Sequence, residues 1–210
     1  MSYESVREII NRSDMFTLAQ KRVLRNIFDV NYTDLAANAT ADAPLKTQTT
    51  GAGTGITTGT GTIAKWNIVQ SGDLIKSELF IDLTGLHVST TDLDIIGKTG
   101  TANSHFGQVL TADHGTLIAG HMTCLEVPVG GITDIDLYSA TEATGTEDAG
   151  IAALAEVATV TSGAVWTIGR TLPFIALPAT TKYLYLTAGA GGSAGDLTAG
   201  QFVITLWGTP

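Results

Sequence analysis

All 24 glycines of the chain lie after residue 50, and so do 27 of its 33 threonines. Each interior glycine costs a helix about 1 kcal/mol, while β-branched threonine suits a pleated strand. The chain therefore divides by structural type: the first 50 residues read as helix, the rest as strand and turn. At 210 residues it is long enough for one genuine core, burying roughly 70% of its unfolded surface.

In the first part, Val6, Ile9 and Ile10 recur at helical spacing after a cap at Ser2. Thr17-Leu-Ala-Gln20 has the capping-box form, in which the two side chains satisfy free N–H groups at a helix start. Val23, Leu24, Ile27 and Phe28 then make one apolar stripe, with Lys21, Arg22 and Arg25 on the opposite face. Through Phe28 there are five cations and three anions, on a chain of net charge −9. Such a stripe is read either as a solvated helix or as an arm that docks on an acidic partner. Residues 47–62, TQTTGAGTGITTGTGT, hold almost nothing but Gly and Thr and read as a hinge, a linker or an extended strip laid on a neighbour. The expected organisation is a helical arm over 1–45, a Gly/Thr-rich linker over 46–62 and a β-sandwich domain over 63–210.

Beyond the linker, polar and apolar residues alternate with period two. Leu79, Ile81 and Leu83 share a face opposite Glu78, Phe80 and Asp82; Ile135 and Leu137 oppose Asp134 and Asp136. Further strands are expected at 62–70, 104–111, 116–127, 164–169, 181–187 and 200–207, separated by Gly, Pro and Asp turn signals. Residues 150–159 read equally as helix or buried strand. About eight strands with short connections predict a mainly β fold, a jelly-roll-like sandwich preceded by the helical arm.

Charge and composition narrow the function. With 20 acidic against 11 basic residues, the chain lacks the clustered cations that displace counterions from nucleic acid. No apolar run approaches a membrane span or a signal peptide, so neither membrane insertion nor secretion is expected. The single cysteine, Cys124, cannot close an intrachain disulfide.

Each apparent catalytic motif lacks its context. Gly191-Gly-Ser193-Ala-Gly195 matches a nucleophile elbow, but a strand-like segment follows it, and no histidine comes after His121. Ile95-Ile-Gly97-Lys98-Thr99 resembles the end of a P-loop, yet Asp92 stands where its first glycine belongs. His87, His105, His114 and His121 show no zinc spacing with Cys124. Asp92 with Asp94, and Asp134 with Asp136, are the calcium candidates, set against the simpler reading of aspartates on the wet side of a strand. Trp66, Trp166 and Trp207 read as core. Tyr183 and Tyr185, on a face opposite Leu184 and Leu186, read as an exposed pair able to anchor a subunit contact or stack on sugar. No enzyme and no cofactor are expected.

Asp94-Ile-Ile-Gly97, Met122-Thr-Cys-Leu-Glu126, Asp134-Ile-Asp-Leu137, Lys182-Tyr-Leu-Tyr-Leu-Thr187 and Thr198–Gly208 follow one another in an order that resembles virion structural proteins of tailed bacteriophages, marine and cyanobacterial phages above all. The resemblance spans residues 60–208. It implies a capsid decoration, or cement, protein in the virion, assembled in the host cytoplasm. Its partners would be the major capsid protein or another virion protein and further copies of itself, a trimer being favoured. Contact would run through the arm (Lys21, Arg22, Val23, Leu24, Arg25, Ile27, Phe28), the sandwich edge, and Tyr183 with Tyr185. The alternative is a carbohydrate- or receptor-binding sandwich on the virion, using the tyrosines beside Asp134 and Asp136.

Overall fold

The computed structural model describes residues 42–190 and 193–210, and residues 44–210 form one compact unit. The helical arm, with Lys21, Arg22, Val23, Leu24, Arg25, Ile27 and Phe28, lies outside the described residues. The unit is mainly β. Its strands are β1 (Asp42–Lys46), β2 (Ile63–Ser71), β3 (Leu74–Asp82), β4 (His87–Val88), β5 (Thr116–Val129), β6 (Ile135–Ala140), β7 (Val157–Val160), β8 (Thr171–Pro173), β9 (Tyr183–Ala188), β10 (Gly195–Asp196) and β11 (Ala199–Thr209). They form a six-stranded sheet ordered β1-β2-β3-β11-β5-β8, a three-stranded sheet ordered β7-β6-β9, and the short pair β4–β10. From β2 onward the pairings are antiparallel.

Local sequence explains the frame. Ser71 pairs with Leu74 across the two-residue turn Gly72-Asp73, where Gly72 takes φ +58° as a tight hairpin turn requires. In β3 every second residue is buried, Ile75, Ser77, Leu79 and Ile81, as the alternation predicts. β11 is central, lying between β3 and β5, and sends Phe202, Ile204 and Leu206 inward. One apolar cluster joins these to Leu79, Ile81, Met122 and Cys124 from the large sheet and to Ile135, Leu137, Leu184 and Leu186 from the small one.

The small sheet departs from expectation because both its faces are covered. All six residues of β6 are buried. A second cluster, Ile95, Tyr138, Ala140, Ile151 and Tyr185, occupies the face that the alternation assigns to solvent. The ambiguous stretch 150–159 is divided between a single 3-10 turn, Ile151–Leu154, and β7. Residues 104–111 contain no regular strand. Phe106 N–H bonds to Leu184 O of β9 and Val109 N–H to Lys182 O just before it, with Gly107 at φ +130° between them accepting the Leu184 N–H, so the pairing stays local. Residues 164–169 form an irregular loop instead of a strand.

The compact unit begins at Pro44, so the Gly/Thr run is part of it. Gly53 N–H donates to His105 O at 2.8 Å, Gly55 N–H to Asn103 O at 3.2 Å, and Lys98 N–H to Gly55 O at 2.6 Å. The glycines are needed for this approach: a Cβ on Gly53 would collide with Asn103 O, and one on Gly55 with the Ser104 hydroxyl. Asp113, in the helical turn α1 (Thr111–His114), takes the Thr49 N–H at 2.8 Å and the Thr49 hydroxyl at 2.7 Å. Replacing Asp113 by alanine should cost about 0.5–1.5 kcal/mol, since two hydrogen bonds to a buried carboxylate are lost while the Thr49 donors, on an exposed residue, can turn to water. The same change should speed limited proteolysis within 47–62, and an unchanged cleavage rate would refute the clamp.

Candidate interaction surface

Two sheet edges meet along one margin of the body. β8 ends the large sheet and β7 ends the small one, and Ile175 N–H donates to Thr159 O at 2.9 Å between them. On either side of the short edge strand the chain stays close to β5: Gly169 N–H bonds to Cys124 O at 2.8 Å, and Phe174 N–H to Gly120 O at 2.9 Å. The edge is blunt, only three residues long and ending in Pro173, so a foreign strand finds little to pair with.

This margin carries large aliphatic side chains in solvent. Ile168 is 73% exposed, Ile175 65% and Val165 59%, with Val157 and Leu177 also exposed and Ile118 and Leu125 beside them on β5. Scattered exposed aliphatics are ordinary, but a run of them along one edge marks a contact surface. Residues 116–125 and 157–181 contain no Asp or Glu and a single Lys or Arg, Arg170, whereas residues 42–210 hold 15 acidic and 6 basic residues. The margin is an acid-free strip, with Arg170 its one formal charge, on an acidic body.

The loop that presents Val165 and Ile168 is held from beneath. Trp166 is buried, its Nε1–H donates to Ile135 O at 2.8 Å, and its ring meets Phe202 edge-on at 5.2 Å. The Arg170 guanidinium sits 5.2 Å from the Trp166 ring centre and donates to the carbonyls of Ser162, Ala164 and Val165. Its charge is thereby spent within the loop. At the start of the loop, Asp136 Oδ1 accepts the Ser162 N–H at 2.6 Å, and the Ser162 hydroxyl donates to Asp134 Oδ1. A cleft of about 350 Å³ opens beside them, walled by Thr133, Asp134, Gly163, Ala164 and Val165.

Comparison with known proteins finds no matching family model, no similar curated protein and no similar solved structure. The surface is therefore read on its own chemistry.

Asp134 and Asp136 are each 7% exposed, so they are not the wet side of a strand. Both carboxylates are committed to Ser162, and among the described residues no three His, Cys, Asp or Glu side chains converge as a metal site does. Burial pushes the Asp136 carboxyl up to about 6, against the pull of the Ser162 N–H, with Asp134 and Asp92 adding to the rise. Tyr185 is not an exposed anchor. It is fully buried in the second cluster, donates its hydroxyl to Glu142 O at 2.7 Å and accepts Gly145 N–H at 3.2 Å. Burial pushes its phenol up to about 12. Tyr183 is half-buried and packs on the His105 ring at 4.8 Å. The tyrosines and the aspartates thus make no open sugar platform. Trp166 is core as expected, while Trp66 and Trp207 are half-buried, Lys76 lying 5.6 Å over the Trp207 ring. Ser193 is exposed, and Gly191 and Gly192 of its motif lie outside the described residues.

Two polar pairs emerge that spacing did not suggest. His87 Nδ1 meets Glu147 Oε1 at 2.5 Å, and the other Glu147 oxygen takes the Gly100 N–H at 2.7 Å, tying β4 to two loops. His114, fully buried beside Trp66, faces the Ser77 hydroxyl at 2.9 Å. The partners are 60 and 37 residues apart, so only the folded chain joins them. The margin did leave a trace in the sequence: 25 consecutive residues, 157–181, without an acid.

Proposed function

We propose that this chain is a structural protein of a tailed-phage virion, of the capsid-decoration type. Its body is a jelly-roll-like β-sandwich, and its adhesive parts are the N-terminal arm and the sandwich edge, directed at the major capsid protein and at other copies of the chain. The observation that carries this reading is the acid-free aliphatic margin along β7 and β8. Burying apolar area yields about 25 cal/mol per Å², and repetition over a lattice multiplies a modest contact into firm attachment. The remaining acidic surface suits a particle that must stay soluble and apart from its neighbours. The order of motifs, which resembles that of phage virion proteins, supports the same reading.

The test is occupancy on purified particles. The full chain should co-purify with phage heads in a copy number matching the lattice. Deleting residues 1–41 should lower occupancy roughly tenfold or more, the effect of losing about 1.4 kcal/mol per site. A chain absent from heads would refute the assignment, and one bound as well without its first 41 residues would remove the arm from it.

A further inference from the structure

We propose that the β7–β8 margin is the surface through which two copies of this chain bind each other. The proposal rests on reading that margin as adhesive, and it assigns the margin a specific occupant. Charge selects the occupant. The described body carries 15 acidic and 6 basic residues, so two copies repel across most of their surface. Along 116–125 and 157–181 that repulsion is lowest, because no acid is present and Arg170 is already bound within its own loop. Apolar exposure is greatest there as well, at Ile168, Ile175 and Val165.

A partner chosen for this body by its charge would bring cations to the acidic faces, and an aliphatic strip offers them nothing. A second strip of the same kind matches it with Arg170 as the one charge on each side, its guanidinium N–H groups already donated to loop carbonyls, so a self-complementary contact meets little repulsion. The size is adequate. A stable interface takes roughly 20–30 residues per partner, and of the 35 residues in the two segments seven are buried, leaving up to 28 at the surface. The contact works by side-chain packing, because Pro173 and the three-residue length of β8 block strand addition. The buried Trp166 and the Arg170 fork hold Val165 and Ile168 in place before any partner arrives, which reduces the ordering cost of association.

The experiment is sedimentation velocity and native mass measurement on the full-length chain at roughly 100 µM, a concentration that populates even a micromolar interface. The wild type should run as an oligomer. Ile168→Asp with Ile175→Asp should run as a monomer with an unchanged circular dichroism spectrum and melting curve. Val69→Asp, an exposed aliphatic on β2, should leave the oligomer intact. Should the aspartate pair fail to fold, Ile168→Ser with Ile175→Ser serves in its place, with a weaker but still measurable shift towards monomer. A monomeric wild type overturns the proposal, as does an oligomer that survives the margin variants or is lost equally in Val69→Asp. A monomeric chain that docks on heads through the margin also overturns self-association while leaving the virion reading standing. An oligomer dispersed by the margin variants but absent from heads does the reverse.

Discussion

Truncating Trp166 to alanine should lower the stability of the chain by about 3–5 kcal/mol, the usual cost of removing a buried large aromatic. The side chain is 1% exposed and contacts the core through the edge of Phe202. Alanine leaves a cavity at that contact. It also removes the Nε1–H that reaches Ile135 O at 2.8 Å and the ring beneath the Arg170 guanidinium. Phenylalanine at the same position separates these effects. It keeps most of the packing and loses only the indole donor, so its cost should be nearer 1–2 kcal/mol. Because Trp166 is flanked by Val165 and lies two residues before Ile168, the alanine variant should also weaken margin-dependent self-association under conditions where the body is still folded. Urea unfolding followed by circular dichroism gives the first quantity, and sedimentation below the transition gives the second. A loss under about 1 kcal/mol would mean that the ring does not anchor the loop to the core.

The parts of this fold that could be read from the chain are those where one sheet face meets solvent. β2, β3, β5 and β11 follow their alternation or their apolar content closely, and Leu79 and Ile81 sit inside as expected. Where both faces are covered, the same logic misleads. Asp136 and Tyr185 alternate correctly with Leu137 and Leu186, yet their face is closed by Ile95, Ile151 and the loop that begins at Ser162. Period two reports which residues share a side; it does not report whether a distant segment returns to cover that side. The Gly/Thr run shows the same limit. A stretch without large side chains reads as a hinge, a linker or an extended strip laid on a neighbour, and the small residues at Gly53 and Gly55 are what let it lie against residues 102–105. The candidate surface was partly legible, as an acid-free stretch in an acidic chain. Its assembly from β5, β7 and β8 depends on pairings between segments some 50 residues apart, such as Thr123 with Thr171. Nothing local encodes those.

Replacing Asp136 by asparagine should expose a loss of stability in mild acid that the wild type conceals. Two buried groups titrate in opposite senses. Burial pushes His114 from 6.5 down to about 4, although the nearby Asp113 and the Gln108 carbonyl draw it upward. The unfolded chain therefore takes up a proton at His114 before the folded one does. The stability tied to neutral His114 is complete above pH 6.5 and is lost as pH falls towards 4, about 3 kcal/mol at roughly 1.4 kcal/mol per pH unit. Asp136 behaves oppositely. Its folded pKa of about 6 lies above the ordinary 3.8, so its contribution is complete below pH 3.8 and disappears as pH rises through 6, again about 3 kcal/mol. Between pH 4 and 6 the two slopes nearly cancel, leaving these residues with a net effect of less than about 1 kcal/mol. Asparagine keeps an oxygen to accept the Ser162 N–H and removes the buried charge beside Asp134. The variant should be more stable than wild type at pH 7.5, by about 1–3 kcal/mol, and should lose that advantage steadily down to pH 4. Urea midpoints measured at half-unit intervals from pH 4 to 7.5 give both curves. If the two run parallel, Asp136 is ionised at neutral pH at no cost, and the proposed opposition between the buried acid and the buried imidazole is wrong.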